Sequence, residues 1–271
     1  MSVVDFEYFI NRLATLSGEA IMPFFRTAIA AEDKAHGGAF DPVTEADRSA
    51  ELVMRRMIQT TFPDHGVIGE EFGADNPQAD YVWVIDPIDG TKSFICGFPT
   101  WGTLIGLMHH GRPCYGMMHQ PFSHERFMGD GSTAFWRGPA RAAVAGQGEI
   151  EEKRRLSTRA CPSLAQATLM TTSPSLITPR RLADFQRIEE RVRLSRYGGD
   201  CYAYCALAAG HVDLVIETGL KPYDIVALIP IIEGAGGVIT TWEGGDPANG
   251  GDIVASGDPA LHPVALDLLT G

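Results

Sequence analysis

The chain has 271 residues, 45% apolar and 21% charged, the composition of an ordinary globular protein. It is long enough to bury a full core, as one large domain or two closely packed halves. Its net charge of −12 speaks against nucleic-acid or anionic-membrane binding, which call for a basic footprint, but still allows a phosphate to be held where metal ions neutralise carboxylates.

Asp5, Glu7 and Glu19 come early, without a basic flank or an unbroken apolar stretch, so residues 1–26 read as neither a signal nor a transit peptide. No segment reaches the ~18 apolar residues of a membrane span. Val3, Phe6, Ile10, Leu13 and Leu16 predict an opening amphipathic helix, and the polar stretch from Glu32 to Pro42 reads as a loop. Thr44 is placed as the N-cap of a second helix with the apolar stripe Ala46, Ala50, Val53, Met54, Met57 and Ile58, stopped by Pro63-Asp64-His65-Gly66. Val67-Ile68 and Tyr81–Ile85 then read as strands. Hairpins are expected at Thr103–Met108 with Cys114–Met118, and at Glu125–Met128 with Ala134–Trp136. Two helices followed by an antiparallel meander give an α+β pattern.

Residues 140–155 are small, polar and charged, and are taken as a junction between halves 1–142 and 143–271. The second half alternates: helices at Thr178–Val192, Asp200–Gly210 and Asp224–Gly234, strands at Val212–Glu217, Gly237–Thr241 and Asp252–Ser256, and a final helix. The five cysteines are odd in number and lack zinc-type pairing. Cys201 and Cys205, one helical turn apart, read as buried thiols, and a reduced cytoplasmic protein is expected. His109, His110 and His119 form no zinc motif and are placed at the surface or a strand edge; no histidine receives a catalytic role.

The most informative element is Trp83-Val84-Ile85-Asp86-Pro87-Ile88-Asp89-Gly90-Thr91-Lys92-Ser93-Phe94. An apolar strand ends in two aspartates and an intervening carbonyl, the oxygen cluster that a hard cation such as Mg²⁺ prefers. Gly90 permits close backbone approach to an anion, and Thr91 adds a hydroxyl. Asp-Pro and Asp-Gly are also ordinary turn signals, so company elsewhere decides the reading. Glu70 follows the Val67-Ile68 strand, Asp224 opens a helix after Pro222-Tyr223, Asp47 lies three residues after Thr44, and Asp200 follows Gly198-Gly199. Taken singly, these acids also serve as loop residues, helix caps or first-turn dipole partners.

Jointly, Gly69-Glu70-Glu71, Asp86-Pro87-Ile88-Asp89-Gly90-Thr91 and Tyr223-Asp224 before a helix ending Glu233-Gly234-Ala235-Gly236-Gly237 resemble the inositol monophosphatase family. The resemblance spans nearly the whole chain and implies the layered αβαβα sandwich of the inositol monophosphatase and fructose-1,6-bisphosphatase folds, with the site between the halves. It implies two or three Mg²⁺ ions on Glu70, Asp86, the carbonyl of Ile88, Asp89 and Asp224. Asp47 and Thr91, with Glu70, would orient and activate water, and the amides of Gly90 and Thr91 would cradle the phosphate. Tyr223 stands where the family commonly has Trp, a change to the pocket wall. A homodimer follows from the resemblance alone, with the hairpin around Tyr115–Trp136, taken as exposed, as a candidate interface.

The segments Arg196-Tyr197-Gly198-Gly199-Asp200-Cys201-Tyr202-Ala203-Tyr204 and Gly219-Leu220-Lys221-Pro222-Tyr223-Asp224 are similar to the histidinol-phosphate phosphatase branch. Asp200 or Glu217 would then pair with the substrate's amine; in an inositol phosphatase the same acids would accept hydroxyl hydrogen bonds. For Glu217 a surface strand-end acid is the competing reading. The expected function is Mg²⁺-dependent hydrolysis of histidinol phosphate in histidine synthesis. The alternatives are an inositol or broad sugar- or nucleotide-phosphate monoesterase and, outside catalysis, a metal-binding regulatory protein of the same fold. No Cys-x5-Arg phosphatase loop is present.

Overall fold

The computed structural model of the chain describes residues 6–28, 32–33, 42–140 and 151–271. Val3 of the opening stripe, much of the expected 32–42 loop and residues 141–150 of the expected junction lie outside them. Helix α1 (Phe6–Ile21) buries Phe9, Ile10, Leu13, Ala14 and Ile21 along one face. Short strands β1 (Glu32–Asp33) and β2 (Pro42–Val43) pair antiparallel, so the two ends of the expected loop meet. Helix α2 (Glu45–Thr61) begins at Thr44, whose Oγ1 accepts from Ala46 N while Asp47 Oδ2 accepts from Thr44 N at 2.8 Å. The predicted cap is therefore a reciprocal capping box.

Strands β3 (Gly66–Gly69), β4 (Gly73–Asp75) and β5 (Tyr81–Asp89) precede a short helix α3 (Thr91–Ile95). The two predicted hairpins follow as β6 (Gly102–His109) with β7 (Arg112–Gln120), and β8 (Glu125–Gly129) with β9 (Ala134–Pro139). Strand β10 (Glu151–Arg155) completes an eight-stranded sheet in the order β10-β9-β8-β7-β6-β5-β3-β4. It is antiparallel except for the β3–β5 pair, which runs parallel.

The second sheet has five strands in the order β12-β11-β13-β15-β14. Its members are β11 (Thr168–Thr171), β12 (Leu194–Tyr197), β13 (Leu214–Leu220), β14 (Val238–Thr241) and β15 (Gly251–Ser256). The helices of this half are α4 (Leu182–Glu189), α5 (Cys201–Ala208), α6 (Pro222–Ile225), α7 (Ile229–Gly234) and α8 (Leu261–Thr270).

Alternation along the strands builds the layers. On β5, Trp83 and Ile85 face α1 and α2, joining Phe9, Ile10, Leu13, Met54 and Ile58. On the opposite face, Leu104, Met118 and Phe127 pack with α5, α7 and one side of the second sheet through Val215, Ile253 and Ala255. The other side of that sheet, through Leu169, Leu214, Ile216 and Val254, packs on α4 and α8. The result is the αβαβα sandwich that the family resemblance implies.

The central helical layer lies directly on the first sheet because three strands present glycine there. An added Cβ would strike Val226 and Ala227 at Gly106, the Ala227 carbonyl at Gly116, and Pro230 and Ile231 at Gly129. Gly106 and Gly116 are cross-strand partners, so together they make the seat for the segment that follows Asp224. Gly116→Val is expected to cost at least ~3 kcal/mol, the upper range for overpacking a core, because backbone rather than a flexible side chain must yield. Denaturant unfolding checks this; a loss below ~1 kcal/mol would show that the seat is adjustable.

Several expectations are corrected. The 140–155 junction contains β10, whose polar alternation pairs at the edge of the sheet against β9. The expected Asp224–Gly234 helix is two short helices, because Pro230 has no N–H to give the preceding turn. The Thr178–Val192 helix is confined to Leu182–Glu189 by a turn at Thr178–Arg181. His119 is not at the surface: it is buried on β7, its Nδ1 3.3 Å from the Glu125 carbonyl, and burial pushes its pKa down to about 3. The Tyr115–Trp136 segment is not an exposed hairpin but spans β7 to β9 inside the sheet, with Met117, Met118, Phe127 and Trp136 buried. Cys201 and Cys205 are buried free thiols, as read from the sequence.

Candidate active site

Along a regular strand, side chains three apart point to opposite faces. Asp86 and Asp89 escape this because the β5–β6 register shifts between them: Asp86 faces Leu104 and Asp89 faces Gly102, so three steps on β5 match two on β6. The extra residue is a β-bulge, where Pro87 loses no ladder bond. Asp86 Oδ1 accepts from the Ile88 amide at 3.0 Å, and the Pro87 carbonyl accepts from Thr103 Oγ1 at 2.8 Å. Thr103 Oγ1 in turn accepts from Ser17 Oγ of α1 at 3.0 Å. The bulge is thereby anchored to the helical layer behind it, and both carboxylates turn to one side.

The third carboxylate comes from the other half of the chain. Pro222 opens α6, and Asp224 Oδ2 accepts the Lys221 amide at 2.7 Å, so one oxygen secures the turn. Oxygens of Asp86, Asp89 and Asp224 lie within 4.8 Å of one another. Asp89 Oδ2 also accepts the Cys201 amide at 2.7 Å, which fixes the start of α5 against the cluster. Glu70, in the turn after β3, acts electrostatically on Asp47, Asp86 and Asp224, which places it beside the same centre. The Thr91 hydroxyl donates to the Ile88 carbonyl at 3.1 Å.

Burial is the main cause that raises Asp47, Asp86, Asp89 and Asp224 above the ordinary carboxylate range, with mutual repulsion adding to it. Asp86 and Asp89 stand well above that range, Asp224 is pushed up to about 7, and Asp47 to about 6. Among the described residues none of Asp86, Asp89 and Asp224 is salt-bridged to a Lys or Arg. Asp47 Oδ2 is held by the Thr44 N–H and hydroxyl, while its buried Oδ1 has no hydrogen-bond partner. An all-oxygen donor set with surplus negative charge and an orphaned buried oxygen fits a hard divalent cation rather than zinc on sulfur or nitrogen.

Beside the cluster lies a cavity of ≈ 240 Å³, bordered by Gly90, Thr91, Asp200, Glu217 and Asp224. Asp200 is more than a cap. Its side chain makes no cap bond; Oδ2 accepts from Ser93 at 2.5 Å and Thr100 at 3.3 Å, on a backbone at φ 44°. A Cβ at Gly90, itself at φ 86°, would stand 2.9 Å from the Asp200 Cβ, so glycine is required there twice over. Glu217 is buried on β13, not a surface acid; Oε1 accepts from the Thr172 amide at 2.9 Å and hydroxyl at 2.5 Å, and Oε2 from Tyr204 at 3.0 Å. Burial raises the pKa of both acids.

Sequence reasoning did not single out Ser93, Thr100 and Tyr204, nor the wall residues Thr171, Thr172 and Ser173. The hydroxyl-rich run Thr171-Thr172-Ser173 before Pro174, gathered where a strand ends, was the available signal.

The signature of the inositol monophosphatase family matches residues 4–270. The chain belongs to the inositol monophosphatase family. It is 44% identical over 270 residues to the chloroplastic bifunctional phosphatase IMPL2 of Arabidopsis thaliana, spanning 96% of this chain and 73% of that protein. A histidinol-phosphatase of Mycobacterium tuberculosis is 34% identical over 84% of each chain. A solved inositol monophosphatase from Zymomonas mobilis, 38% identical, superposes with a TM-score of 0.81 over 98% of this chain and 99% of that one. As a member of the inositol monophosphatase family the protein is a phosphatase; the family acts on small phosphate esters and is generally metal-dependent, in keeping with the acidic cluster. No helix among the described residues is long and apolar enough to cross a membrane.

Proposed function

We propose that the protein is a Mg²⁺-dependent histidinol-phosphate phosphatase of histidine biosynthesis, releasing histidinol and phosphate. The observation that carries this reading is the pair of acids on the cavity wall, Asp200 and Glu217, beyond those of the cluster. A cationic amine at the far end of the substrate gives this pair a charge to neutralise, whereas an inositol ring would use it only to accept hydroxyl hydrogen bonds. Similarity to the Mycobacterium tuberculosis histidinol-phosphatase supports the same choice.

In this reading Glu70, Asp86, the Ile88 carbonyl, Asp89 and Asp224 hold two or three Mg²⁺ ions. When bound, the metal lowers the pKa of water and neutralises the charge of the phosphoryl group. The residues of the chain supply the rest. Thr91 and the free oxygen of Asp47, with Glu70, orient the attacking water. The Gly90 and Thr91 amides hold the phosphate oxygens, and Asp200 and Glu217 receive the amine. The 1–142 segment contributes most of the metal ligands, and the 143–271 segment contributes Asp224 and the substrate contacts.

A second reading, inositol-1-phosphate hydrolysis, is favoured by the hydroxyls of Thr172, Ser173 and Thr218 on the same wall and by similarity to the Zymomonas mobilis inositol monophosphatase. Phosphate release from the two substrates, with Mg²⁺ and with chelator, separates them. The expected result is a Mg²⁺-dependent preference for histidinol phosphate of at least ~100-fold in kcat/KM, about 2.7 kcal/mol. Comparable rates would make the protein a broad monoesterase, and loss of the chelator effect would remove the metal from the reading.

A further inference from the structure

We propose that Glu51 is a positioning residue that sets Glu70 toward the cluster, with Arg55 as its counter-ion. The inference rests on reading that cluster as a metal centre.

Asp47, Glu51 and Arg55 stand four residues apart on α2 and form a buried polar stripe, with exposures of 1%, 0% and 8%. A fully buried carboxylate is costly unless every lone pair is used, and Glu51 spends its lone pairs on the turn that carries Glu70. Its Oε2 accepts the Glu71 amide at 2.7 Å; its Oε1 accepts the Phe72 amide at 3.2 Å and Arg55 Nε at 2.7 Å. Arg55 Nη2 then donates to the Gly73 carbonyl, closing the turn on its far side. Holding the amides of the two residues after Glu70 fixes the peptide planes that aim its side chain.

Apolar packing does not do this job. Residues 72–78 are exposed, and Phe72 itself is 46% exposed. The turn lies flat on the carboxylate: a Cβ on Gly69 would overlap Glu51 Oε1 and come within 2.8 Å of Arg55 Nη2. Gly69 pairs with Gly73 across β3 and β4, so the clamp grips the turn at its base and its tip. One helix therefore registers both Asp47 and, through Glu51, Glu70. A carboxylate that served only to neutralise Arg55 would need no amides from residues 71 and 72.

The test is isothermal calorimetry of Mg²⁺ binding to Glu51→Gln and Gly69→Ala, with thermal unfolding in chelator measured alongside. Glu51→Gln keeps the shape but brings an N–H₂ group against backbone donors. Gly69→Ala displaces the same carboxylate without changing any charge. Both are expected to weaken Mg²⁺ binding by about 10–100-fold, the range for outer-shell partners of metal ligands, with kcat largely recovered at saturating Mg²⁺. A lowered Tm with an unchanged Mg²⁺ Kd would overturn the proposal, since a purely structural pair predicts that pattern. Should Glu51→Gln not fold, Gly69→Ala decides. Asp86→Asn is titrated in parallel to separate the two failures. If it binds Mg²⁺ as the wild type does, the metal reading falls and the positioning role with it. If it loses binding while both other variants keep the wild-type Kd, the positioning role alone is refuted.

Discussion

Asp86→Asn is expected to reduce phosphate release by at least ~10³-fold while leaving the fold intact, because even outer-shell partners of a metal ligand are worth 10–100-fold. Asn is isosteric, and its Oδ1 can still accept the Ile88 amide that shapes the bulge. What it removes is the charge. Asp86 is the most buried of the three clustered carboxylates and stands next to Glu70, Asp89 and Asp224. In the metal-free protein that removal relieves repulsion, so Tm in chelator should stay level or rise. Steady-state kinetics, circular dichroism and thermal unfolding together check this. Activity within about tenfold of wild type, at any Mg²⁺ concentration, would dismiss Asp86 as a metal ligand.

The second large effect is on stability, and its sign follows from the same crowding. In the metal-free fold Asp47 titrates near 6 and Asp224 near 7, with Asp86 and Asp89 also raised, all chiefly by burial. In the unfolded chain these groups lose their protons near pH 4. Between those limits the folded state binds more protons than the unfolded state, so stability falls as pH rises through the folded pKa values. The loss is on the order of a few kcal/mol over that window. In the proposed reading Mg²⁺ would bind the ionised carboxylates and so restore what deprotonation removes. The Mg²⁺-induced rise in Tm is therefore expected to be small near pH 5 and large near pH 8. Taking the difference between Mg²⁺ and chelator at each pH cancels titrations elsewhere, such as that of Asp213, which its Arg159 hydrogen bonds hold below the usual range. A Mg²⁺ effect equal at both pH values would refute a cluster of desolvated, proton-competing ligands.

Much of the site was legible because its residues carry local signals. The strand-to-turn element from Trp83 to Phe94 concentrates two acids, a bulge proline and a glycine within a dozen residues. Thr44 announces an N-cap by its place before the apolar stripe, and the two hairpins announce themselves by turn residues between apolar runs. Where local signals were absent the reading failed. β10 has no apolar alternation, since Glu151 to Arg155 line a sheet edge, and edge pairing leaves no hydrophobic trace in the sequence. His119 looked like a surface residue because a lone histidine carries no burial signal; its burial beside Gly18 depends on a helix about a hundred residues away, and the neighbouring strand adds Arg126 and the Glu125 carbonyl.

The sequence by itself determined the family, the α+β class and the acidic residue set, because these depend on residue types and spacings along the chain. Tertiary structure decided how the set becomes a site. The bulge turns Asp86 and Asp89 to one face. The Gly106, Gly116 and Gly129 seat brings the helices after Asp224 down onto the first sheet. Glu51, which by composition belongs on the solvent side of a helix, is buried under the Glu70 turn. Each of these joins segments far apart in the chain, and the energy that selects them, desolvation balanced by hydrogen bonds and close packing, exists only once both partners are in place.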